Sequence, residues 1–171
     1  MAMNIMNTSH DQGVERFLAL TKGIKFCMLT TVEQSGAPHS RPMTIQQIGE
    51  KAELWFFTGK ATGLASAILN NDEVTATFSN ERGDAFVSVF GRARLLVDRR
   101  KMEELWEPIY QTWFPKGILD PNLALVRIDV ELAEHWDSGC GILTTLFHRG
   151  EPPRTGSFSD QTNGPSAKRH C

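Results

Sequence analysis

Apolar positions recur along the chain with two spacings, which divide it into short helices and β-rich runs. Val14, Phe17 and Leu18 return at helical intervals and Gly23 follows as a stop, which predicts an amphipathic helix over 11–22. From Ile24 to Val32 β-formers dominate, Ser35-Gly36 supplies a turn, and 37–48 continues as a second strand carrying Pro38 and Pro42. A proline cannot donate to a ladder, so this second arm is expected at a sheet edge, or bulged around Arg41. A short apolar strand, Leu54–Thr58, precedes Thr62, which is placed to cap a helix with Leu64, Ala65, Ile68 and Leu69 on one buried stripe.

Further on, Val74, Ala76 and Phe78 alternate with Thr75 and Thr77, a turn is expected over 80–84, and 85–97 forms a long β-rich stretch. Gly91 within it marks a bulge or sharp bend. Asp98 is a good cap for a helix carrying Met102, Leu105, Trp106 and Ile109, which Pro108 kinks or shortens. A Pro- and Gly-punctuated loop over 113–122 leads to another strand, in which Ala124, Val126, Ile128 and Val130 face the core while Leu125, Arg127, Asp129 and Glu131 face largely water. About six short strands with few helices point to a mainly β, α+β architecture: an antiparallel barrel with appended helices.

Beyond His148 the composition shifts to Pro, Gly, Ser, Thr and Lys, with Phe158 the one aromatic residue, which is too little apolar content to order a segment. The chain therefore divides into a flexible amino terminus over 1–10, one domain over 11–149 and a disordered tail over 150–171. A formal charge of -2, from 18 Lys and Arg against 20 Asp and Glu, gives no field that favours nucleic acid or anionic lipid. No apolar run approaches membrane-spanning length, and no secretory pattern stands at the amino terminus. Cys27, Cys140 and Cys171 are odd in number and widely spaced, which fits free thiols in a reducing cytoplasm.

Candidate chemistry concentrates in two segments, Arg41-Pro42-Met43 and Trp55 to Thr62. Arg41 and Lys60 offer positive charge, and Thr58, Thr62 and the free amides opening the next helix offer donors, the combination a phosphate requires. The neighbouring aromatic side chains offer a lining for a planar ring. Taken alone, the same residues also describe a surface arginine, a hairpin strand and an ordinary Thr-capped helix. His10 and His170 lie in loose ends, His39 sits beside Pro38 on an irregular strand, and His135 and His148 lack a close ligand partner in sequence; Cys27 alternates as a small apolar residue, and neither Ser88 nor Ser138 lies in a nucleophile elbow.

The order of these motifs resembles the general stress branch of the FMN-binding split β-barrel proteins related to pyridoxamine 5'-phosphate oxidase. The likeness runs from about Val14 to Asp137 and includes 87–93, Leu105-Trp106, Trp113-Phe114-Pro115, 120–125 and 133–137. It implies an antiparallel split β-barrel, a homodimer with FMN held between two subunits, and a small-molecule redox substrate. Carried over by position, Arg41 approaches the flavin or its phosphate, Met43 and Thr44 contact the ring through their backbone, and Thr58 and Thr62, with charge from Lys60, bind phosphate. Phe57 lies within that cofactor site, and Trp113, Phe114 and Trp136 are candidates for covering the ring from the partner subunit.

Two departures from the family pattern weaken the phosphate site. Leu64 stands where the family commonly has a lysine, and Gln46 where the oxidases often place another. The oxidase branch also carries an Arg and a His for substrate phosphate near its carboxyl end, whereas this chain continues after Trp136 as Asp-Ser-Gly-Cys-Gly. Pyridoxamine phosphate oxidation is therefore not expected. The readings left open are a flavin-dependent oxidoreductase, a flavin-binding or sensing module without turnover, and a barrel dimer that has lost flavin; deazaflavin or heme in its place is also open.

Overall fold

Strand alternation builds one curled sheet. The computed structural model describes residues 3–79, 85–137 and 143–150. In chain order they form α1 (Met3–Thr21), β1 (Phe26–Val32), β2 (Pro38–Thr44), β3 (Gln47–Ile48), β4 (Glu53–Gly59) and α2 (Gly63–Asn70). There follow β5 (Glu73–Ser79), β6 (Ala85–Leu96), α3 (Arg99–Leu105), two 3-10 turns (Pro108–Thr112 and Gly117–Leu119), β7 (Leu123–Asp137) and β8 (Leu143–His148). The eight strands make a single antiparallel sheet in the order β2-β1-β5-β6-β7-β4-β3, with β8 added alongside β7, and it curls into a half-barrel.

The barrel interior is filled by Leu29, Leu54, Phe56, Val74, Ala76, Phe78, Val89, Val126, Ile128 and Val130, all buried. Helix α1 closes one end with Val14 and Phe17, whose ring meets Phe78 and Phe147 edge-on. Each such large side chain removed from water contributes about 1.5–3 kcal/mol. Cys27 belongs to this interior, and burial pushes its thiol up to about 12, so it stays protonated and inert at neutral pH. No helix among the described residues is long and apolar enough to cross a membrane.

The proline-bearing arm β2 lies at the sheet edge, as its missing donors require. The register of β6 on β7 shifts at Phe90/Gly91, and a Cβ on Gly91 would run into the Asp129 carbonyl, so the bulge needs glycine. Asp98 caps α3 by accepting from the Lys101 amide at 3.1 Å, and α3 stops at Leu105, short of Pro108.

Several expectations are corrected. Helix α1 begins at Met3, well before residue 11, since the apolar period does not report its first turns. Leu69 is 76% exposed while Ala67 is buried, because α2 is only eight residues long and turns Leu69 away from the sheet. Ile109 lies outside α3 and faces solvent. Leu125 does not face water: with Trp55, Met102 and Leu123 it forms a second cluster on the outer face of β4 and β7, roofed by α3 and the 106–119 loop. Strand β8 had no counterpart in the sequence pattern. The expected turn at 80–84 and the tail beyond Gly150 lie outside the described residues.

Candidate functional site

The second cluster leaves a hollow where β4 runs into α2. That corner is shaped by Asn122, which precedes β7: its Oδ1 accepts from the Ala61 amide at 3.0 Å and its carbonyl from the Lys60 amide at 2.7 Å. Gly59 allows this approach, since a Cβ there would sit 2.7 Å from Asn122 Nδ2 and 3.2 Å from Thr62 Cγ2. Thr62 caps α2, its hydroxyl accepting from the Ala65 amide at 3.2 Å and donating to the Gly59 carbonyl at 2.8 Å. Its proton is thereby engaged, so the 3.2 Å contact with buried Thr58 is one in which Thr58 donates. Neither hydroxyl keeps a proton for a ligand in this arrangement.

Beside this corner opens a cavity of about 570 Å³. Met43, Thr44 and Gln46 line it from the β2–β3 side, Phe57, Gly59 and Thr62 from the β4–α2 side, and Tyr110, Trp113 and Phe114 from the 106–119 loop. Phe26, Pro42 and Asn122 complete the wall, and among the described residues no lining side chain carries a charge. The loop is wound around Tyr110: its carbonyl accepts from the amides of Trp113 and Phe114, each at 3.0 Å. Its ring packs on Phe57 at 5.4 Å and on Trp106 at 5.8 Å between centroids. Burial, reinforced by the negative charge of Glu107, raises the Tyr110 phenol above its ordinary value, while the Gln46 amide works in the opposite direction.

Six of the residues singled out in the sequence, Met43, Thr44, Phe57, Thr62, Trp113 and Phe114, meet in this one cavity. Trp113 and Phe114 line it from the same chain as Met43. Thr58 lies buried beneath the wall and Lys60 is exposed on the loop above it. Arg41 is not brought to the cavity. Its Nη2 donates to Glu33 Oε1 at 2.9 Å and to Thr31 Oγ1 at 3.2 Å and meets His39 Nδ1 at 3.0 Å, while its Nε is buried without a partner among the described residues. Trp136 lines a separate hollow of about 410 Å³ with Met28, Thr77, Phe86 and Ser88. Leu64 is 3% exposed and belongs to the barrel core, which explains why no lysine stands there.

Sequence reasoning missed Tyr110, Asn122 and Phe26 as wall residues, and saw Gln46 only as a departure. The available signal for Tyr110 was its place in an aromatic run between Trp106 and Phe114, just after Pro108, which opens the 3-10 turn.

A half-barrel of antiparallel strands, with an aromatic cavity at one corner, defines a split-barrel protein. Residues 12–154 match the family described as pyridoxamine 5'-phosphate oxidase like, and the chain belongs to that family, in its general stress protein branch. It is 35% identical to general stress protein 26 of Bacillus subtilis over 106 residues, 60% of this chain and 73% of that one. Its fold superposes with a TM-score of 0.64 on the general stress FMN/FAD binding protein of Xanthomonas citri, at 30% identity, covering 88% of this chain and 99% of the other. General stress protein 26 of Bacillus anthracis shares the fold at a TM-score of 0.65 and 20% identity, over 77% of this chain and 97% of that one.

Proposed function

We propose that this protein binds a flavin, FMN, in the cavity between β2, β4 and the 106–119 loop, and that it works in the cytoplasm as a homodimer. The observation that carries the reading is the cavity itself: about 570 Å³, walled by Phe57, Tyr110, Trp113 and Phe114, and edged by neutral polar groups. That size and character suit a planar tricyclic ring. The Xanthomonas citri relative, described as FMN/FAD binding, supports the same assignment.

A bound flavin would supply electron transfer to a small-molecule redox substrate. The chain's part is to orient the ring against Phe57 and the loop and to keep water from one face. Among the described residues no lining side chain titrates near neutrality, so those residues offer no acid–base pair of their own. This favours chemistry carried by the cofactor, and it equally favours the second reading, a flavin-binding module without steady turnover.

The dimer is supported by the outer face of the sheet. Phe26, Met28 and Phe86 are 61%, 42% and 48% exposed, beside the hollow of Trp136. Phe26 lines the first cavity and Met28 the second hollow, two residues apart on one strand face. A copy laid across β1 by a two-fold axis would bring the partner's Trp136 toward the flavin cavity.

Freshly purified protein should show a flavin absorbance spectrum and release FMN on denaturation. Colourless protein that takes up no flavin on titration would refute the assignment. Turnover of a reduced nicotinamide with a flavin-dependent acceptor then separates an oxidoreductase from a binding module.

A further inference from the structure

We infer that Asn122 is the positioning residue of the corner where β4 runs into α2: its oxygen fixes the shape of the connecting loop, and its Nδ2 donates to the phosphate of a bound FMN. The inference rests on the flavin reading above, with the phosphate at this corner. A phosphate needs several donors converging on its oxygens, and a strand that turns into a helix presents them only if its loop keeps one shape. Residues 60–62 are the whole connection, and Asn122, 61 positions beyond Ala61, holds two of its amides. The Lys60 amide donates to the Asn122 carbonyl at 2.7 Å and the Ala61 amide to Asn122 Oδ1 at 3.0 Å. The Thr62 amide turns back to the Gly59 carbonyl, and the Ala65 amide goes to the Thr62 hydroxyl, each at 3.2 Å. Among the described residues, the amides of Gly63 and Leu64 are then the unengaged donors of the first turn, beside the exposed Lys60.

Asn122 is itself held in place. Asp120 Oδ1 accepts from the Asn122 amide at 2.9 Å and the Asp120 carbonyl from the Leu123 amide at 3.0 Å, so the Asp-Pro-Asn turn sets the side chain before β7 starts. Because Oδ1 faces the Ala61 amide, Nδ2 is turned over Gly59, where a Cβ would sit 2.7 Å from it. There it lies on the cavity wall beside Thr62, with no hydrogen bond among the described residues. The hydroxyl protons of Thr58 and Thr62 go to Thr62 and to the Gly59 carbonyl. A side-chain N–H at this corner therefore comes from Lys60 or from Asn122, and Asn122 is the one whose direction the fold sets.

Two substitutions separate the two halves of the side chain. Asn122→Asp keeps an acceptor for the Ala61 amide and replaces the Nδ2 donor with a carboxylate oxygen, whereas Asn122→Ala removes both. Wild type and the two variants are titrated with FMN and with riboflavin, and each is melted without ligand. Wild type should prefer FMN. Asn122→Asp should melt as wild type does and bind riboflavin within about twofold of it, while its preference for FMN falls about tenfold or more and recovers in part at high salt. Asn122→Ala should lose a similar preference and also melt at a lower temperature, because the Ala61 amide loses its acceptor. Where Asn122→Asp fails to fold, Asp120→Ala keeps the test, since it frees the Asn122 backbone without changing a residue of the cavity wall; the FMN preference should then fall about threefold. A wild type that binds both ligands equally overturns the inference, and so does a folded Asn122→Asp that keeps the wild-type preference or weakens both ligands by the same factor. Wild type that binds neither ligand overturns the flavin reading itself, and this inference with it.

Discussion

Arg41 is the residue whose chemistry differs most between sequence and structure. On an edge strand beside a proline it reads as a cation facing a ligand; in the fold its side chain is four-fifths buried and joins Glu33 in the turn between β1 and β2. Replacing it with alanine removes charge-assisted hydrogen bonds whose partner Glu33 is a third exposed, so the expected loss is about 1–2 kcal/mol, discounted for solvent. Denaturant unfolding measures that loss. The ratio of FMN to riboflavin affinity should not move, and a strong fall in FMN binding alone would put Arg41 back on the phosphate.

Tyr110 is the chain's sole tyrosine, so its titration can be followed without interference. Its phenol is raised in the folded state by burial and by Glu107. The sign follows from linkage: the folded protein holds the phenolic proton more tightly than the unfolded chain, so this contribution to stability is complete below the unfolded phenol value and is lost as pH rises through the folded one. Near-ultraviolet absorbance should show native protein ionising at higher pH than denatured protein, with a flavin in the cavity raising the value further. Native and denatured titrations that coincide would mean that Tyr110 does not line a closed wall.

At the scale of elements, the features that were legible in the sequence are those enforced by a single residue's covalent chemistry. Prolines 38 and 42 exclude an interior strand, Asp98 and Thr62 supply cap acceptors, and Gly91 marks the bulge where β6 leaves no room for a Cβ against β7. Gly91→Ala forces a Cβ onto the Asp129 carbonyl, where the contact is backbone and cannot rotate away. A destabilisation of about 2–4 kcal/mol is expected, read as a lower denaturation midpoint with unchanged slope. Features set by tertiary partners were not legible. Leu125 alternates like a solvent-facing position and is fully buried because α3 and its loop fold over that face. The same roof brings Tyr110 to Phe57 across some fifty positions of sequence, a contact that no local period encodes. Strand β8 is short and lies against the outer half of β7, so its ends are fixed by pairing and not by pattern.

At the scale of the molecule, half of the candidate site follows from local sequence and half from where the sheet places its outer face. The wall residues of β2, β4 and α2 stand within some twenty positions of one another, whereas Trp136 is on the far side of the sheet, reached along the row Met28, Thr77 and Ser88. An outer face carrying Phe26, Met28 and Phe86 leaves apolar area in water for a lone chain, and a stable two-fold contact covers about 800 Å² per partner. Because Met28 and Phe86 already face solvent within one chain, the pair Met28→Glu and Phe86→Glu should leave the barrel folded while placing like charges across the two-fold axis. Light scattering should give a dimer mass for wild type and a monomer mass for the double variant, with circular dichroism unchanged. On the proposed dimer, flavin should then bind the monomer more weakly, because the proposed contact is what carries Trp136 of the partner subunit toward the cavity. A double variant that stays dimeric locates the interface elsewhere, and one that becomes monomeric yet binds flavin as tightly as wild type shows that each chain completes its own site.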